Sequence, residues 1–188
     1  MSARVIRRPA FLAAAAVVLI AGGFAVYWFA PWNLVVDRTV DEALPSIAPA
    51  VPVDDGAGDA AADRDVVTDE RGPVTLSRGP FRSLEHATRG SALVVELADG
   101  SRLVRLEGLE TSNGPDLRVI LSSEAPQDDW HVYDDGELLD LGALKGNVGS
   151  SNYEIPTDAN LSDFESVVVW CRRFSVAFGV APLELVAA

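Results

Sequence analysis

An all-β domain, an antiparallel β-sandwich or barrel preceded by one transmembrane helix and a disordered linker, is the fold class that the sequence predicts. Three observations carry it. The N-terminal region holds an uncharged run about long enough to cross a bilayer. A stretch rich in Ala, Asp, Pro and Gly follows it. After Val74, short apolar runs of period two alternate with Gly, Pro and Asn turns. A chain of 188 residues has length for about one folded domain. With 28 acidic against 15 basic residues, the net charge of −13 excludes a nucleic-acid partner, which needs clustered Lys and Arg.

Residues 1–10 carry Arg4, Arg7 and Arg8 and no acid, and are expected to be a cytoplasmic tail. The lipid bilayer is the partner expected for Phe11–Ala30, a signal anchor whose C-terminal side faces outward by the positive-inside rule. Tyr27, Trp28 and Trp32 fall where an outer aromatic belt belongs. Small residues at Ala21, Gly22 and Gly23 leave a cleaved signal peptide as the alternative. The apolar and aromatic run continues past them to Trp32, which favours an uncleaved anchor at the cell membrane. Residues 31–73 are expected to form an extracytoplasmic acidic linker, because low hydrophobicity and like charge bury too little surface to offset chain entropy. Its first part, Val40–Pro45, is regular enough to dock locally.

The β domain is expected over 74–188. Leu93, Val95 and Leu97 alternate with small or charged residues, Asp99-Gly100 supplies a turn, and Val104 and Leu106 continue on a return strand. Leu117, Val119 and Leu121 define one face of the next strand, with Asp116 and Arg118 on the other. Ser122–Glu137 reads as a long polar loop. Strands are expected at Leu138–Leu144, Tyr153–Ile155, Val167–Cys171, Phe174–Phe178 and Leu183–Val186. A helical turn is expected at Asn160–Phe164 behind Asp158 as cap.

The strand ending in Val-Val-Val-Trp-Cys-Arg-Arg holds the single cysteine of the chain, Cys171. An intramolecular disulfide is therefore impossible. Met1 is the only methionine, so no thioether of the folded region can ligate a metal. Alternation puts Cys171 on one face with Val169 and Arg173, and Trp170 on the other with Val168 and Arg172. A guanidinium beside the thiol, from Arg173 or through a bulge from Arg172, favours thiolate and reactivity. The bland reading is a small buried hydrophobe, which free cysteine often is.

Gly114-Pro115-Asp116-Leu117, Leu141 to Asn147, Asn152-Tyr153-Glu154-Ile155-Pro156 and Val168 to Val176 resemble, in order, the motifs of the DM13 domain family. Phe81 and His86-Ala87-Thr88-Arg89-Gly90 resemble its opening. The resemblance covers Leu76–Leu185, and the membrane-anchored single-domain layout is similar to that of actinobacterial members. It implies an all-β extracellular domain, related in architecture to DOMON domains, with a role in electron transfer. The family's characteristic cysteine corresponds to Cys171, as a naked thiol or a ligand to a prosthetic group such as haem; Trp170, Arg172 and Arg173 then support it. The electron donor or acceptor would be a separate redox protein.

His86 and His131 are the only imidazoles, so a haem ligand set draws on Cys171, His86 or His131. Covalent c-type attachment has no Cys-x-x-Cys-His to use. A blue-copper site normally gathers its Cys and His closely, and no His follows Cys171. His86 as a polar turn residue and His131 as an ordinary loop residue are the bland alternatives. Gly114-Pro115-Asp116 reads as a turn whose Asp116 bonds backbone amides. Asp128, Asp129, Asp134 and Asp135 lack EF-hand spacing, and no Walker, Gly-x-Ser-x-Gly or zincin motif supports hydrolysis. The rival function is a cell-surface binding module for carbohydrate or protein, with Trp130, Tyr133 and the acidic loop as contact surface and a purely structural cysteine.

Overall fold

The computed structural model describes residues 7–29, 36–45 and 72–186. Helix α1 (Arg7–Phe29) has 23 residues, and its described side chains, from Phe11 to Tyr27, are uncharged and almost all exposed. Among the described residues no helix is long and apolar enough to cross a membrane. Most of the expected linker, residues 46–71, lies outside the described residues.

Among the described residues eleven strands form two sheets, a sandwich rather than a closed barrel. The first sheet contains β1 (Thr39–Asp41), β2 (Val74–Pro80), β4 (Arg89–Glu96), β5 (Arg102–Glu110), β8 (Val148–Ile155) and β11 (Glu184–Leu185), in the order β1-β8-β5-β4-β2-β11. The second contains β3 (Arg82–Ser83), β6 (Leu117–Ser122), β7 (Leu138–Ala143), β9 (Ser166–Cys171) and β10 (Val176–Pro182), in the order β3-β10-β9-β6-β7. All neighbours are antiparallel except β1 and β8, which are parallel.

The β4–β5 hairpin turns where Asp99-Gly100 predicts, with Gly100 at a φ of 80° and the Ser101 amide bonded to the Asp99 carboxylate. Its core face differs from the expected one. Ala92 and Val94, paired with Leu106 and Val104, face the other sheet, while Leu93 and Leu97 stay partly exposed. A strand apolar on both faces carries no period-two signal to say which face is inside. From the second sheet Leu117, Val119 and Leu121 enter the same cluster, as expected, with Val167, Val169, Cys171 and Phe178. Each buried Val, Leu or Phe among them stabilises the fold by about 1.5–3 kcal/mol.

The outer face of the second sheet is buried as well. Ile120, Val168, Trp170, Ala177 and Val180 form a second cluster around Tyr133, which has no exposed surface. Tyr133 belongs to a short 3-10 turn (Val132–Asp134) inside the polar stretch that reads as a surface loop. The phenol accepts from the Gln127 amide and donates to the Gln127 carbonyl, at 2.9 and 3.0 Å. Burial holds its pKa above the ordinary value, so it stays protonated and able to donate. The Trp130 carbonyl accepts from the Ala177 amide, fixing the loop to β10. The second 3-10 turn, Leu161–Asp163, is capped by Asn160 instead of Asp158, its side chain accepting from the Ser162 amide.

Strand β1 is the docked part of the expected linker. The Glu42 carboxylate accepts from the Asn152 amide at 2.8 Å and from Lys145 Nζ at 2.9 Å. These bonds, the amide first, hold its pKa below the usual carboxylate range. A lowered folded-state pKa means stabilisation that is present above the ordinary glutamate range and lost as pH falls through the folded value.

Two predictions follow from these contacts. Tyr133→Phe costs about 1 kcal/mol and Tyr133→Ala about 3–5 kcal/mol in urea unfolding; an Ala variant as stable as the parent would show that the loop does not close the second cluster. Hydrogen exchange at the Asn152 amide, corrected for intrinsic rate, becomes less protected as pH is lowered below the ordinary glutamate range, and Glu42→Gln removes that pH dependence.

Candidate functional site

Cys171 is the last residue of β9. Three valines and a tryptophan place this strand in the middle of its sheet, between β6 and β10, and all six of its residues are buried. Cys171 pairs with Leu117 on one side and Val176 on the other, and its thiol has no exposed surface. Alternation within the strand holds as read: Val169 and Cys171 face the other sheet, Val168 and Trp170 the loop.

The arginines depart from the expectation. The strand ends at Cys171, and Arg172 to Ser175 form a turn with exposed side chains. Period-two alternation stops with the ladder, so it does not set the side on which Arg173 lies. Ser175 takes the left-handed φ of 50° that closes the turn, and the Phe174 amide donates to the Cys171 carbonyl. Arg172 binds outward: its amide donates to the Asp116 carbonyl and its Nε to the Asp116 carboxylate at 2.9 Å. Asp116 thus ties the Gly-Pro-Asp segment to the Cys-Arg turn, rather than capping backbone amides. The cluster that encloses the thiol is apolar.

His86 is half-buried on the β3–β4 connection. Its ring meets the Phe178 ring edge-on, with centroids 3.9 Å apart, and its Nε2 lies 2.7 Å from the Glu85 carboxylate. It lines a cavity of about 320 Å³ with Asp37, Arg89, Glu110 and Thr111. Thr88, in the same motif, is buried and its hydroxyl reaches Thr111 Oγ1 at 2.8 Å and the Phe178 carbonyl at 3.1 Å. A Cβ on Gly179 would lie 2.6 Å from Thr88, so that glycine is needed for the close approach. The motif His86–Gly90 clamps β10 from outside.

His131 is fixed by the loop: Trp130 Nε1 donates to its Nε2 at 2.9 Å, and its Nδ1 meets the Ser175 carbonyl at 2.9 Å. The neutral ring protonated at Nδ1 satisfies both bonds. Trp130 is 40 % exposed, whereas Tyr133 is buried and drops out of any contact surface.

A family model described as Electron transfer DM13 matches residues 80–183, more than half of the chain. The chain belongs to the DM13 family. Its matched region runs from the end of β2 to the residue after β10 and includes Cys171, Asp116, Thr88 and Gly179. No curated protein matches the chain significantly, and no solved structure does.

The site does not fit a haem on Cys171. The thiol is enclosed on the inner face, and it lines none of the cavities of about 320, 410 and 1090 Å³. His86 opens into the first of these, with Phe178 of the thiol's cluster against its ring. Among the described residues no group of three or more His, Cys, Asp or Glu gathers in metal-binding geometry. The apolar enclosure and the two-residue tie at Asp116 and Arg172 were beyond sequence reasoning, although Gly-Pro-Asp and Cys-Arg were both visible as motifs.

If Cys171 is packed as its enclosure implies, Cys171→Ser costs about 1–3 kcal/mol by placing a hydroxyl in apolar surroundings, and Cys171→Ala costs less. Equal urea midpoints for Ser and Ala would contradict that enclosure.

Proposed function

We propose that this DM13 protein is a membrane-tethered extracytoplasmic module, of the anchored type found in actinobacterial members, that exchanges electrons through the thiol of Cys171. The family match over 80–183 is the observation that carries an electron-transfer role. Support for the tether comes from α1: it has 23 residues, equivalent to about 34 Å of helix, and its described side chains leave Phe11, Leu19 and Phe24 exposed with no charge among them. Apolar, exposed side chains of this kind are suited to contact with lipid. Arg4, Arg7 and Arg8 precede it, which favours a cytoplasmic N-terminus and an outward domain.

Cys171 is the only thiol of the chain, and it sits one residue from an exposed four-residue turn. Opening that turn, with Phe174 at its tip, exposes the sulfur without dismantling either sheet. The open thiol loses its proton to solvent, and the thiolate attacks one sulfur of a partner disulfide. The partner's S–S bond breaks as the mixed disulfide forms, and its second sulfur leaves as thiolate. The partner is a disulfide-bearing redox protein of the cell envelope. Arg172 and Arg173 flank the opened position, and Trp170 anchors the strand that remains.

A second reading rests on the zero exposure of Cys171: the cysteine only packs, and the domain is a binding module. With Tyr133 buried, its aromatic contact surface reduces to Trp130 beside Asp128 and Asp129.

The two readings diverge in thiol labelling. Native protein is expected to react with maleimide roughly 10³-fold more slowly than urea-unfolded protein, yet to completion, and Asp116→Ala, by freeing the turn, to speed native labelling. Mixed disulfides trapped through Cys171 in the exporting host would follow. A thiol inert under native conditions, with binding unaltered in Cys171→Ala, would establish the packing reading instead.

A further inference from the structure

The segment Asp37–Ala43 lies outside the region matched to the family, yet residues inside that region are shaped to receive it. Thr39–Asp41 adds to β8 in parallel register against Val148–Ser150. The buried Asn147 reads the segment's start: its Oδ1 accepts from the Arg38 amide at 2.7 Å and its Nδ2 donates to Asp37 at 2.8 Å. At the other end the Glu42 amide donates to the Ser150 carbonyl, and the Glu42 carbonyl accepts from Arg105 at 3.0 Å. Asn152 contributes its backbone amide to the Glu42 carboxylate and its Nδ2 to the Ala43 carbonyl. Two glycines leave the space. A Cβ on Gly149, whose φ is 107°, would meet the Val40 carbonyl, and one on Gly146 would meet the Arg38 carbonyl and the Val40 side chain.

An incidental edge contact would not need a buried amide side chain, a lysine and two glycines all directed at one short segment. We infer that the β8 edge is a built receptor for an extended acidic segment, occupied by the chain's own Asp37–Ala43, and that this clasp moors the domain to α1. Only residues 30–35 then separate the helix from the folded body, a reach of at most roughly 25 Å, whereas a free tether over 31–73 would reach roughly 150 Å. The inference rests on the membrane-anchor reading above for its consequence, that the domain meets only redox partners held at the membrane surface. The clasp itself does not depend on that reading.

The test uses the full chain, expressed in an exporting host, with a specific protease site inserted within 46–71. After cleavage on isolated membranes, the domain fragment stays with the membrane, and in detergent the two fragments co-elute as a one-to-one complex. Glu42→Pro removes the amide donor and the carboxylate from the clasp without altering the β8 edge, and is expected to raise release roughly tenfold or more; a cooperative melt of its released fragment shows that the domain stays folded. Release of the parent domain on cleavage, or separate elution of the fragments, overturns the clasp. A complex of two copies of each fragment overturns its placement within one chain. Co-elution with both fragments absent from the membrane supports the clasp and removes the anchor reading.

Discussion

The rest of the structure depends on the burial of β9 on both faces. A central strand reading Ser-Val-Val-Val-Trp-Cys has no polar side to give to water, so the fold must supply two covers. The first is the opposing sheet, which meets Val167, Val169 and Cys171. The second is the stretch after β6, which meets Val168 and Trp170 through Tyr133.

That double burial also sets the chemistry available to Cys171. A thiol on the inner face at the end of such a strand is shielded from solvent. The strand ends there in the exposed turn of Arg172 to Ser175. The tie between Asp116 and Arg172 joins that turn to the start of β6, so the Gly-Pro-Asp and Cys-Arg motifs act as one device. Thr88 against Gly179 does the same for the opening motif and β10. Much of what the family motifs specify is the fastening of strand ends around one buried sulfur.

Particular residues show what could be read beforehand. The Asp99-Gly100 hairpin, the inward face of Leu117, Val119 and Leu121, and the split of Cys171 from Trp170 all follow from turn chemistry and period-two alternation, which are local. Alternation carries no information past the end of the ladder at Arg173, and only the pairing of Cys171 with Val176 marks that end. Tyr133 was read as surface because its neighbours are polar; its burial depends on an apolar face contributed by strands distant in sequence. The core face of β4 is not legible locally, because both of its faces carry apolar side chains.

The sequence by itself determined the β class, the family, the hairpins and the singularity of Cys171, since composition, spacing and turn residues are encoded within a few positions of one another. The tertiary structure decided that the sheets stay open, that the thiol is enclosed, and that Asp37–Ala43 is part of the folded body. Each of these arises from contacts between segments tens of residues apart. A parallel strand added at an edge illustrates the reason: its bonds to Asn147 and Asn152 cross more than a hundred residues, and no local pattern on either side announces the other.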